Sequence, residues 1–362
     1  MTNGASVSNS NAAGPPPAPA ARPGRVPPPP ARPVGPPPPR PPRRWGALQI
    51  VTLIFLVLSL LGNILLLLIT VGLVTLLAGG EMEDGFIERV VEKGPASEKI
   101  AIIHVDGLID EELAERIRGE ARRAARDDCV KAVVLRINSP GGGLTASDMI
   151  YHDIHSLAAE SGKPVVASMD SVAASGGYYV ACAADEIVAQ RTTITGSIGI
   201  IAEFFFLQGL LQDKLGVKTV TLKMGEQKDW PNLFAGDMTE PQRRYILETL
   251  LVPGYDRFVT TVSESRRMKR EEVEKLATGR VFMADEAKAS RLVDRIGYLD
   301  DAIDLAMKRA GIAEARVVEY VKPFRLSELF GLSAKAGTAL DLRPERLAAL
   351  ATPKVMYLWT GY

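Results

Sequence analysis

From Trp45 to Gly80 the chain runs 36 positions without a charged residue, well beyond the roughly 20 apolar residues that cross a bilayer. That stretch commits the chain to a membrane. A cleaved signal peptide is the rival reading, but its apolar region is about 7 to 15 residues long and close to the terminus; this one is longer and starts later. Arg40, Arg43 and Arg44 stand in front of it, and Glu81, Glu83 and Asp84 follow it. The positive-inside rule then puts the N-terminus in the cytoplasm, with a single pass through the inner (cytoplasmic) membrane and the remainder on its outer face.

Residues 1–44 contain six arginines, no lysine and no acid, and 16 of the 25 prolines. Such a segment is disordered and polyproline-prone. Composition favours a solvated basic tether over a ligand for a proline-recognition domain, and no chemistry is assigned to it. Over the whole chain Lys plus Arg equals Asp plus Glu at 43 each, which argues against nucleic acid as a partner. Cys129 and Cys182 are the only cysteines. They exclude a disulfide framework, no single bridge is expected, and no Cys/His cluster has metal-ligand spacing.

Residues 81–98 read as a short amphipathic helix and a turn, a stalk. Beyond it, apolar β-branched runs at 99–107, 130–143 and 164–170 alternate with helical patterns at 111–128 and 147–161. This alternation predicts an α/β body with a parallel or mixed sheet of βαβ units, and sites in such folds gather at strand C-termini. The body is placed at 99–312. A C-terminal segment, 313–362, holds a strand-like 315–323 and an apolar end, Val355–Trp359, that docks as a packed edge, an oligomer contact or an occupant of a substrate groove.

Two strand ends carry candidate chemistry. Asn138-Ser139-Pro140-Gly141-Gly142-Gly143 exposes backbone amides that could meet an anion, although a tight turn would need the same glycines. Ser175 follows a small-residue strand end and precedes Gly176, Gly177 and an apolar helical run, so it is either a nucleophile at a helix start or a simple N-cap. A nucleophilic serine needs a base. The three histidines, His104, His152 and His155, all precede Ser175 on predicted core elements and read as structural. Lysine is the remaining candidate, provided its amine is neutral; Lys214, Lys218, Lys223 and Lys228 all follow, the last in a loop after a strand-like 218–224. Spacing does not choose among them.

In order, RINSPGGG at 136–143, SVAASGGYYVA at 171–181, TGSIGI at 195–200 and GEQKDW at 225–230 resemble the signal peptide peptidase A family of membrane-bound serine proteases, over roughly residues 99–312. The resemblance implies a caseinolytic protease/crotonase-like fold, Ser175 as nucleophile, Lys228 as general base, Ser197 as the residue that orients the lysine, and an oxyanion hole from Gly141 or Gly142 with Gly176. It implies no metal or cofactor. Its short, single-repeat members carry one such domain behind a membrane anchor, and serine and lysine of one site come from adjacent protomers of a homo-oligomeric ring. The expected substrates are signal-peptide remnants or other membrane-derived peptides, with Val172, Ala173, Ala174, Tyr178 and Tyr179 suggesting pockets for small or apolar side chains. The alternatives are an inactive membrane scaffold of the same fold and a crotonase-like acyl-CoA enzyme.

Overall fold

The structure is a computed structural model that describes residues 46–77, 86–232, 234, 236–322 and 354–360. The Pro/Arg tail, residues 78–85 and residues 323–353 lie outside the described residues, and the chain falls into two units, Met1–Ala78 and Gly79–Tyr362.

In the first unit, helix α1 (Ala47–Leu77) is 31 residues long. Its stretch Leu48–Gly72 has a mean hydropathy of 2.8, so it is long and apolar enough to cross a membrane by length and composition. Some of its polar side chains turn back onto the helix: Thr52 and Thr70 hydroxyls donate to the carbonyls of Leu48 and Leu66.

In the second unit, a parallel sheet runs in the order β10 (Arg316–Val321), β2 (Lys99–Ile109), β3 (Val130–Gly143), β4 (Val165–Ala174), β5 (Glu186–Ala189), β9 (Arg295–Ile296), with β1 (Ile87–Glu92) antiparallel on the outer edge of β10. The expected βαβ alternation is present. Side-chain alternation sends Ala101, Ile103, Val105, Val133, Leu135 and Ile137 to one face of the sheet, against α2 (Glu111–Arg126) and α3 (Leu144–Ser161). Ile100, Ile102, Ala132 and Val134 go to the other face, under α9 (Leu299–Ala310). Both faces are covered, which is why these strands read as continuous apolar runs.

The helices start and stop for local reasons. The Asp110 carboxylate accepts from the Leu113 amide and caps α2, whose first turn holds Glu111 and Glu112 and whose last holds Arg123 and Arg126. Gly162 ends α3 in the left-handed conformation.

Two expectations need correction. Residues 87–92 form an edge strand, not a helix: their backbone pairs with β10, 230 residues downstream between Arg89 and Glu319, a partner that local periodicity cannot register. Residues 218–224 are not a strand, because no other segment among the described residues pairs with them; Val220, Leu222 and Met224 are 81%, 92% and 93% exposed. The strand expected at 315–323 is β10, a member of the body's own sheet, and the apolar end is strand β11 (Lys354–Leu358).

Candidate active site

Ser175 is positioned by the end of β4. There β4 leaves β5 and pairs instead with β6 (Ile194–Gly196), Ala173 opposite Thr195 and Ala174 opposite Gly196. Buried hydroxyls fasten the two segments: Thr195 donates to the Ala173 carbonyl at 2.7 Å and Thr193 to the Asp170 carbonyl at 2.6 Å. The Ser175 amide then donates to the Gly196 carbonyl at 2.7 Å. Continuing the register by one residue brings Ser175 and Ser197 side by side. Both are buried and both have positive φ, 53° and 51°, a conformation that costs a non-glycine residue about 1–3 kcal/mol and persists only where the surroundings impose it.

The N-cap reading of Ser175 is not upheld. Although Ser175 stands at the N-cap of the short helix α4 (Gly176–Ala181), its side chain makes no capping hydrogen bond. The hydroxyl is therefore not spent on the helix.

The glycine loop closes against it. Relative to β4, β3 slips register between Ile137 and Ser139, and at that slip the Ser139 hydroxyl donates to the Gly107 carbonyl at 2.6 Å and accepts from the Gly141 amide at 3.0 Å. Gly141 has φ +100°, and a Cβ there would stand 2.6 Å from the Gly176 nitrogen; a Cβ on Gly176 would stand 3.1 Å from the Gly141 Cα and 2.5 Å from the Ser147 hydroxyl. Only glycine permits this approach. Gly142 packs toward β2 instead, where a Cβ would meet the Ile109 carbonyl at 2.1 Å. Of the three expected oxyanion donors, Gly141 and Gly176 are brought together next to Ser175, with the Gly141 amide held by Ser139, while Gly142 faces elsewhere.

A cavity of about 550 Å3 opens at Ser175 and Ser197, walled by Ile200, Leu251, Tyr255 and Trp359. No lysine and no histidine lines it among the described residues. Lys228 stands exposed in a turn whose amide donates to the Gly225 carbonyl, and Lys214, Lys218 and Lys223 are exposed as well, Lys223 paired with Asp229 at 2.5 Å. The structure thus joins Ser175, Ser197, Gly141 and Gly176, and leaves Lys228 apart from them within one chain. His104 lies beside Glu319, with Nε2 to Oε1 at 3.2 Å, and His152 and His155 are exposed on α3.

Tyr178 and Tyr179 are core residues rather than open pocket walls: Tyr178 donates to the Leu292 carbonyl, and Tyr179 donates to Asp148. Burial pushes the Cys182 thiol up to about 12, which makes it inert, and both cysteines are free. Thr193 and Thr195 escaped the sequence reading, and Ser139 was read only as part of the glycine loop; the hydroxyls of the TTITGS run at 192–197 were the signal for the two threonines.

The sequence model of peptidase family S49 matches residues 158–313, and that of Clp protease matches residues 95–200. Over 301 residues the chain is 31% identical to a protein of Enterococcus faecium named putative signal peptide peptidase SppA, covering 76% of this chain and 85% of that one. It is 35% identical over 253 residues to a putative protease of Synechocystis, covering 69% and 89%. Protease 4 of Haemophilus influenzae is 39% identical over 215 residues, 58% of this chain but 34% of that longer protein. Among solved structures, ClpP1 of Listeria monocytogenes aligns with a TM-score of 0.35 at 17% identity, covering 55% of this chain and 92% of that one.

Proposed function

The chain belongs to the signal peptide peptidase A family, peptidase family S49, as a serine-type peptidase, and from that premise we propose that Ser175 is its nucleophile and Lys228 of an adjacent copy its general base. The observation that carries the reading is the Ser175 hydroxyl, buried, uncapped, held at positive φ and set against Gly141 and Gly176.

The chemistry follows from the groups present. A neutral lysine amine takes the Ser175 proton as the oxygen attacks a peptide carbonyl, the Gly176 backbone amide stabilises the oxyanion beside the Gly141 turn, and the lysine returns the proton to the leaving amine. Water then hydrolyses the acyl-enzyme. Ser197, adjacent to Ser175 in the shared register, orients the incoming amine in this reading. The base comes from a second copy because no lysine among the described residues lines the Ser175 cavity, and Lys228 follows an exposed apolar row, Val220, Leu222 and Met224, of the kind that marks a protein interface. A head-to-tail contact of this type leaves no unpaired site only when it closes into a ring.

With α1 as a membrane anchor, N-terminus in the cytoplasm, the body works on the outer side of the cytoplasmic membrane on signal-peptide remnants or other membrane-derived peptides. A fluorophosphonate probe on the full chain in detergent tests the assignment. It should label the enzyme and fail to label Ser175→Ala, while Lys228→Ala should lower peptide turnover by at least about 100-fold. Labelling that persists in Ser175→Ala contradicts it.

A further inference from the structure

The strand that carries the nucleophile changes partner on its way to it. Through Met169, opposite Ala189, β4 pairs with β5; from Val172, opposite Ile194, it pairs with β6. Asp170 and Ser171 fall between and belong to neither ladder. On the other edge β3 runs from Ile137 to Ser139 while β4 runs from Met169 to Ala173, so β4 bulges against β3 at the same place. Bulges bend a strand and re-aim the side chains that follow, and Ser175 follows at once.

Asp170 fastens this bulge on both sides. Its carboxylate accepts from Arg136 Nε on β3 at 2.8 Å and from Gln190 Nε2, in the connection from β5 to β6, at 3.0 Å. Its main-chain carbonyl accepts from the Thr193 hydroxyl at 2.6 Å. The Gln190 amide donates to the Met169 carbonyl at 3.2 Å, and the Thr193 amide donates to the Gln190 carbonyl at 3.0 Å, so the turn leading into β6 is tied to β4 at both of its ends. Across the bulge, the Val172 amide donates to the Asn138 side-chain oxygen at 3.3 Å.

Packing does not call for a carboxylate at this point. Asp170 is only 9% exposed, and a buried charge is costly unless its partners compensate. Met169 and Ala173 already supply the apolar contact with the core. What Asp170 adds is direction: two oxygens facing donors on opposite sides of β4 fix the path along which the strand leaves β5, whereas an apolar side chain fills volume without fixing an angle. That path sets the register in which Ser175 meets Gly196 and Ser197, and misplacing a reacting group by about 1 Å can cost on the order of 100-fold in rate.

We propose that Asp170 is a positioning residue of the Ser175 site: with Arg136 and Gln190 it holds the bulge at which the nucleophile strand changes partner, and it acts on the chemical step through the placement of Ser175, not on substrate binding. This deepens the serine-peptidase reading and rests on it for the role of Ser175.

The full chain, assembled in detergent, tests it through quantities that loss of fold does not mimic: the fluorophosphonate labelling rate of the molecules that label, and kcat and KM per labelled site. Asp170→Asn keeps the shape but turns an amide group toward one of the two donors, and Gln190→Ala removes one donor while leaving Arg136 in place. Asp170→Asn should lower the labelling rate and kcat at least about tenfold with KM held within about twofold, and Gln190→Ala should lower both by about threefold. Arg136→Gln added to Asp170→Asn should lower kcat no more than about twofold further, because the pair acts as a unit. If Asp170→Asn does not fold, Gln190→Ala carries the test. Labelling rate and kcat per labelled site within about twofold of the parent in the variants that fold, a loss confined to KM or to the labelled fraction, or fully additive losses in the double variant would each overturn the proposal. A wrong nucleophile would show separately, as probe labelling that survives Ser175→Ala.

Discussion

Glu120 illustrates what a single residue contributes to the body. It is buried on α2 with Arg116 Nη1 2.5 Å from its carboxylate. Burial raises its pKa from 4.5 to about 7, with Arg116 pulling the other way. The folded state therefore keeps a proton that the unfolded chain releases, and stability falls as pH rises through that window. The penalty is complete above pH 7 and amounts to at most about 3 kcal/mol. Glu120→Gln removes it, so the variant should melt higher than the parent at pH 8 and close to it at pH 5, where both side chains are largely neutral. A larger gain at pH 5 than at pH 8, in melts of the two proteins, would contradict this. At the same scale Ser175 and Ser197 show the opposite economy: two serines at positive φ, a conformation that local propensity disfavours, are kept by the β4 and β6 backbone.

Among the elements, the short β6 matters most for the site, since Thr195 ties it to β4 and thereby sets Ser197 next to Ser175. Thr195→Val leaves the buried Ala173 carbonyl short of a donor and should cost about 1–3 kcal/mol, with turnover falling because Ser197 loses its position. Thr195→Ser keeps the donor and should restore both. An unchanged melting temperature and turnover in Thr195→Val would remove this role from β6. The elements also explain what could be read from sequence. Val130–Gly143 and the first part of Val165–Ala174, expected at 164–170, were legible because both sheet faces are covered and the strand centres are mostly apolar. Ile87–Glu92 was not, because a largely exposed edge strand with charges on both sides resembles an amphipathic helix until its distant partner is known. Ser175 was legible from its motif, but whether its hydroxyl capped a helix could be decided only from the hydrogen bonds. The destination of β11 was left open for the same reason as β1: its partners are more than 150 residues away.

For the whole molecule, the uncharged stretch and the arginines before it predict that protease added outside the cytoplasmic membrane reaches the body and spares the tail. Digestion around Arg25 with the body protected would reverse the orientation. The larger claim is that one chain supplies Ser175 and its neighbour supplies Lys228, and co-assembly of two inactive chains tests it most directly. Ser175→Ala and Lys228→Ala chains, each inactive alone, are co-expressed in equal amounts, purified as verified mixed oligomers and assayed on peptide. In a closed ring a site is intact when its serine comes from a Lys228→Ala chain and its lysine from a Ser175→Ala neighbour, so random mixing restores about a quarter of the sites. Recovery near that level is the predicted result; mixed oligomers as inactive as either parent would contradict the shared site.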